Sequence, residues 1–127
     1  MNGPTNPLYV FDTNAIIAAL NDKSIVLQAG SRFISVITEM ELLAKPGISP
    51  EAAREIRSFL RTIPVVPLSG EIKREAIRVR RDGTPRLKLP DAIVAATAVI
   101  LRAQLVTADK RVRALVWPGF SALPPLL

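Results

Sequence analysis

Leu8-Tyr9-Val10-Phe11-Asp12-Thr13-Asn14 is the stretch on which the fold turns. Its four apolar residues lack the alternation of a half-exposed strand, so they predict a short strand covered on both faces. The run stops at three polar residues. Ala15 to Leu20 then read as a helix, with Asp12, Thr13 or Asn14 available as its cap. A strand buried on both faces that passes directly into a helix is the opening of an α/β unit.

The same alternation continues outward from this unit. Arg32 to Ser35 reads as a second short strand, and Val36 to Ala44 as a helix stopped by Lys45-Pro46-Gly47. Ser49-Pro50 is a helix start, with Ser as cap and Pro at the first helical position. Ala52, Ala53, Ile56, Phe59 and Leu60 recur behind it at helical spacing. Pro64 to Leu68 reads as a strand. Ser69 caps a helix running to Arg81, with an apolar face of Ile72, Ala76, Ile77 and Val79. After a turn at Asp82 to Pro85, Pro90 opens a helix that is apolar on every side from Ala92 to Leu101 and is therefore expected to be buried. Gln104 to Thr107 reads as a strand, followed from Asp109 by a short helix to about Trp117. Met1 to Pro7 is expected as a loose leader and residues 121–127 as a Pro-rich tail. The pattern predicts one domain over residues 1–127, with an α/β/α arrangement about a short, mostly parallel sheet.

Composition narrows the chemistry. The chain has 127 residues with no Cys and no His. A disulfide framework, a thiolate nucleophile, a Cys/His zinc site and an imidazole base are all excluded. Acid–base and metal chemistry must rest mainly on carboxylates. With 17 Lys and Arg against 11 Asp and Glu, the net charge is +6, compatible with a polyanionic partner such as nucleic acid. The N-terminus has no secretory pattern, and the longest uncharged apolar run, Ala92 to Leu101, is too short to span a bilayer. A soluble cytoplasmic protein without a membrane segment is expected.

Most of the acids are ordinary. Glu51, Glu55, Glu71 and Glu75 read as polar helix faces, and Glu71 and Glu75 each precede an Arg by three residues. Four positions differ. Asp12 and Asp109 follow two apolar strands, where α/β sheets bind ligands. Asp91 opens the buried helix. A Glu in Val36-Ile37-Thr38-Glu39-Met40-Glu41-Leu42-Leu43 follows the second strand, and periodicity leaves Glu39 and Glu41 equally placed beside the apolar centre. Each residue also has a plain structural reading: Asp12 and Asp109 as caps, Asp91 as a first-turn anion, the Glu as a solvated side chain. A shared site accounts for them together. Clustered carboxylates repel, a divalent cation relieves the repulsion, and all-oxygen ligands favour Mg²⁺ or Mn²⁺. Such an ion supports hydrolysis of a phosphodiester.

These segments resemble PIN domains, and among them the VapC-type toxins of toxin–antitoxin pairs. Leu8 to Asn14 is similar to the family's first motif. Ile34-Ser35-Val36-Ile37-Thr38-Glu39-Met40-Glu41-Leu42 is similar to the second, and that match selects Glu41. Leu89-Pro90-Asp91-Ala92-Ile93-Val94-Ala95-Ala96-Thr97-Ala98 resembles the third, and Leu105-Val106-Thr107-Ala108-Asp109 the fourth. Ala108 and Val112 stand where the family usually carries Arg and an aromatic residue. The resemblance runs from Leu8 to about Phe120. It implies a PIN-like α/β/α fold and a ribonuclease dependent on Mg²⁺ or Mn²⁺, with Asp12, Glu41, Asp91 and Asp109 as catalytic metal ligands. It also implies a VapB-like antitoxin as partner and a homodimer. Thr13, Asn14, Thr38 and Thr107 match polar positions and read as supports that orient carboxylates. Other readings stay open: a PIN-like module that binds RNA or a partner without cutting, or a nuclease acting on single-stranded DNA.

Lys73, Arg74, Arg78, Arg80 and Arg81 fall opposite an apolar helix face, and Arg86 and Lys88 follow. Among these, Lys73, Arg74, Arg78, Arg81, Arg86 and Lys88 are the RNA-contact candidates. No aromatic residue interleaves with them, which favours phosphate contact over base stacking.

Overall fold

The computed structural model describes residues 6–126. It contains β1 (Leu8–Phe11), α1 (Thr13–Asn21), β2 (Ser31–Ser35), α2 (Val36–Leu43), α3 (Pro50–Leu60), β3 (Val65–Val66), α4 (Gly70–Asp82), α5 (Leu89–Leu101), β4 (Gln104–Val106), α6 (Lys110–Arg113) and β5 (Ala122–Leu123). The strands form one sheet in the order β3-β2-β1-β4-β5, and every pairing is parallel.

The strand alternation fixes the layers. Val10 and Leu105 point to one face, where they join Val79 of α4, Ala92, Val94, Ala95 and Ala98 of α5, and Val112 of α6. Their neighbours Phe11 and Val106 point to the other face, with Ala15 and Ile16 of α1, Leu42 of α2, and Ile56 and Phe59 of α3. Successive strand side chains alternate in direction, so an unbroken apolar run supplies both cores. This is the α/β/α sandwich expected from the sequence. Val10, Phe11, Leu105 and Val106 are fully buried.

Caps behave as the sequence predicts. Ser49 accepts from Ala52 N ahead of Pro50, and Ser69 accepts from Ile72 N. Gly30 has φ +147° where the chain enters β2, and a Cβ there would stand 2.5 Å from the Pro7 carbonyl. Only glycine allows that approach.

Three expectations are corrected. The last helix ends at Arg113 rather than near Trp117, because the Val116 amide is drawn to the Thr84 carbonyl at 2.8 Å. The Pro-rich tail contributes a strand: Ala122 and Leu123 pair with Leu105 and Val106. In α4, Ile72, Ala76 and Val79 are buried as predicted, but Glu75 is also buried, at 9% exposure, and Ile77 is 50% exposed. The cause is Trp117, whose indole donates to Glu75 Oε2 at 3.0 Å and brings the C-terminal segment over that side of the helix. Residues 1–5 of the predicted leader lie outside the described residues. Pro7, at its end, accepts the Ser31 amide at 2.9 Å.

Candidate functional site

From β1 the chain runs outward through β2 to β3, then returns to place β4 on the other side of β1. The strand order therefore reverses between β1 and β4, and the crevice beyond their C-terminal ends is where such sheets bind ligands. Asp12 follows β1, and Thr107 and Asp109 follow β4.

Asp12 is 5% exposed and is held by three residues of the crevice. Its Oδ1 accepts the Thr13 amide at 2.8 Å, which also caps α1. Its Oδ2 accepts the Thr107 hydroxyl at 2.8 Å and lies 3.5 Å from Asn14 Nδ2. Asn14 Oδ1 in turn accepts the Ala108 amide at 2.8 Å, so one side chain joins the start of α1 to the turn after β4. Thr107 is fully buried, and its hydroxyl oxygen also accepts the Asp109 amide at 3.1 Å.

Glu41 enters from α2. The Thr13 hydroxyl donates to its Oε1 at 2.6 Å, and Thr38 Oγ1 stands 3.4 Å from Thr13 Oγ1. Asp91 enters in the first turn of α5, and Asp109 precedes α6. Asp109 Oδ1 accepts the amides of Arg111 and Val112, so this residue does act as a cap.

Asp12 and Asp91 feel the charges of the other acids. Burial pushes Asp91 up to about 6; Asp12, Asp109 and Glu41 push in the same direction, and Lys88 opposes them. Burial also raises Asp12, helped by Glu41 and Asp109, while the hydrogen bonds from Thr107 and Thr13 pull it back. The crevice thus concentrates negative charge in a chain of net charge +6. As placed, and among the described residues, no three acids stand close enough to hold a metal ion. The fit to a cation lies in the donors themselves, four hard carboxylates with no nitrogen or sulfur ligand among them.

A cleft of about 350 Å³ begins at Glu41 and runs between α1, α2 and α3, past Ile17, Leu20, Leu42, Ile48 and Ile56. On the opposite flank, the predicted basic residues divide. Arg78 Nη2 donates to Glu75 at 2.7 Å, and Arg81 pairs with Asp82 at 3.2 Å. Lys73, Arg74, Arg86 and Lys88 are exposed and form no ion pair among the described residues. The linear reading passes over Arg111, whose Nη2 donates to the Arg86 carbonyl at 3.0 Å. The pair is 25 positions apart, and no local pattern signals it.

A family model described as PIN domain matches residues 9–117. No curated protein matches the sequence. Among solved structures, a toxin–antitoxin complex from Klebsiella pneumoniae is similar with 28% identity and a TM-score of 0.74, over 88% of this chain and 94% of that one. DNA-bound VapBC from Salmonella typhimurium has 21% identity and a TM-score of 0.74, over 93% and 98% of the two chains. VapBC2 from Rickettsia felis, bound to a DNA fragment from its promoter, has 18% identity and a TM-score of 0.73, over 92% and 98%.

Proposed function

The chain belongs to the PIN domain family, and on that premise we propose that it is a divalent-metal-dependent endoribonuclease, the toxin of a VapBC-type pair. One observation carries the reading: Asp12, Glu41, Asp91 and Asp109 come from four separate parts of the chain and converge on one crevice, where burial, and then the charges of the neighbouring acids, raise the proton affinity of Asp12 and Asp91.

Asp12, Glu41, Asp91 and Asp109 would hold Mg²⁺ or Mn²⁺. Bound there, the ion supplies Lewis-acid stabilisation of charge at the scissile phosphate and activation of the attacking water. The chain's own residues orient the donors. Thr107 and the Thr13 amide hold the Asp12 carboxylate on both oxygens, and Thr13 holds Glu41. Asn14 locks the turn after β4 against α1, which sets Asp109 relative to Asp12. These hydrogen bonds reduce the reorganisation needed when a cation arrives.

Asp12→Asn and Asp91→Asn should each abolish Mg²⁺-dependent RNA cleavage and toxicity while the far-ultraviolet dichroism stays that of wild type. The stabilisation of the wild-type chain by Mn²⁺, read as a rise in Tm, should shrink in both. Cleavage at the wild-type rate in clean preparations of both variants would sink the assignment. Digestion of RNA beside single-stranded DNA decides the substrate.

A binding module without catalysis is favoured by one feature, the use of Asp109 Oδ1 as a helix cap. RNA binding in EDTA, with no cleavage under any divalent ion, would select it.

A VapB-like antitoxin as partner is supported by the likeness to toxin–antitoxin complexes. Its gene is expected beside this one, and co-expression of the two should restore growth. A homodimer is supported by the exposed apolar patch of Leu68, Ile77 and Leu89, and sedimentation velocity tests it. This reading places the protein in the cytoplasm. No described helix is long and apolar enough to cross a membrane.

A further inference from the structure

We infer that Arg86, Lys88 and Arg111 form a phosphate-binding rim beside the acidic crevice, gripping the backbone of the RNA strand that enters it. The inference rests on the nuclease reading above and adds the residues that hold the substrate.

The arginines around the turn from α4 to α5 are of two kinds. Arg78 and Arg81 are matched by Glu75 and Asp82, so their charge is largely compensated. Arg86 and Arg111 are oriented in another way. Arg111 Nη2 donates to the Arg86 carbonyl at 3.0 Å, and Arg86 Nη2 donates to the Arg81 carbonyl at 3.2 Å. A carbonyl fixes a guanidinium in place without cancelling its charge. Each fork keeps further N–H groups for an anion, and a planar fork suits phosphate. Both residues are exposed, and neither forms an ion pair among the described residues.

Their backbones are held on a firm base. Leu87, between Arg86 and Lys88, is 2% exposed. Gly83 opens the loop against α4, where a Cβ would stand 2.7 Å from the Val79 carbonyl. The Val116 amide ties the segment after α6 to Thr84 in the same loop at 2.8 Å. The loop before α5 and the residues of α6 therefore form one piece.

That piece adjoins the crevice. The Arg111 amide donates to Asp109 Oδ1 at 2.8 Å. Lys88 stands immediately before α5 and three residues before Asp91, which feels its charge. A strand whose scissile phosphate reaches the carboxylates would bring neighbouring phosphates to Lys88 and to the Arg86–Arg111 pair. No aromatic platform accompanies the rim, so it binds backbone rather than bases.

The test uses the full chain and fluorescein-labelled oligouridine, with anisotropy read in EDTA so that nothing is cut. Each of Arg86→Ala, Lys88→Ala and Arg111→Ala should weaken binding about threefold to tenfold. Each should also lower the slope of log affinity against log salt by about 0.7. Arg86→Lys and Arg111→Lys retain charge and should keep the wild-type slope, which a loss of folding would not do. Arg54→Ala and Arg57→Ala on α3 should change neither quantity. A triple alanine variant with the wild-type slope, or a wild-type chain that does not bind oligouridine, would overturn the rim. Wild-type cleavage with an unchanged slope in the triple variant removes the rim and leaves the nuclease standing. Slope loss in the variants of a chain that binds but never cuts keeps the rim and removes the nuclease.

Discussion

Glu39 and Glu41 sit two residues apart on α2 and flank its apolar ridge at similar angles. Periodicity treats them alike. What separates them is Thr13, delivered by α1, whose hydroxyl reaches Glu41 Oε1 at 2.6 Å. That contact joins residues 28 positions apart, and helical spacing carries no information about it. Asp12, Asp91 and Asp109 are legible in the sequence, because each stands at the end of an element whose apolar pattern is plain. Glu41 is singled out by the family resemblance and not by its spacing. The choice has a measurable consequence. Glu41→Gln removes a carboxylate whose charge reaches Asp12 and Asp91, and RNA cleavage should fall at least tenfold, a loss of about 1.4 kcal/mol of transition-state stabilisation. Glu39→Gln should stay within about twofold, well under 1 kcal/mol. Equal losses in the two would mean that α2 presents a different residue to the substrate.

At the scale of the element, α4 shows how a neighbour overrides an amphipathic pattern. Its sequence places Glu75 with the polar residues and Ile77 with the apolar ones, yet Glu75 is 9% exposed and Ile77 is 50% exposed. Hydropathy alone favours burying Ile77. The indole of Trp117 and the guanidinium of Arg78 satisfy both Glu75 oxygens, which makes the burial of a carboxylate tolerable. A residue 42 positions away supplies the deciding contact, so α4 read by itself places Ile72, Ala76 and Val79 correctly and misses the edge of the buried face at Glu75. Trp117 and Arg78 hold the Glu75 carboxyl below its ordinary value of 4.5, against a smaller opposing effect of burial. A carboxylate with a lowered folded pKa binds fewer protons when folded than when unfolded. Its contribution to stability is therefore complete above the unfolded value and fades as pH falls through the folded one. Glu75→Gln should cost about 1–3 kcal/mol near neutral pH. The difference from wild type should close as the pH drops below about 4. Urea denaturation of both chains across the acid range measures it, and a difference that is constant with pH would assign the cost to packing.

For the whole molecule, the C-terminal segment matters more than its composition suggests. Pro118, Pro124 and Pro125 mark it as irregular, and two residues are too few to register as a strand. Its structure is imposed by the open edge of β4. The Leu105 amide donates to the Ser121 carbonyl and the Thr107 amide to the Leu123 carbonyl, both at 3.0 Å. An unpaired β4 would be a site for association with other chains. The second of these bonds also connects the segment to the crevice, because the Thr107 hydroxyl orients Asp12 and receives the Asp109 amide. The alternation of strands and helices was legible because each unit is built from adjacent residues. This closure was not, because it depends on a partner edge that exists only after the sheet has formed. A chain cut after Phe120 should lose about 3–6 kcal/mol from half-buried side chains and at least four hydrogen bonds, those from the Leu105, Thr107 and Val26 amides and from Gln28 Nε2, lowering Tm by about 10–25 °C. It should also associate at concentrations where the full chain does not. RNA cleavage, measured well below the new Tm, should fall further than the folded fraction does, because Thr107 loses its backbone anchor. Leu123→Ala keeps the carbonyl and should lower Tm while leaving cleavage per folded molecule near wild type. Equal cleavage per folded molecule in the cut chain would show that β5 covers an edge without ordering the site.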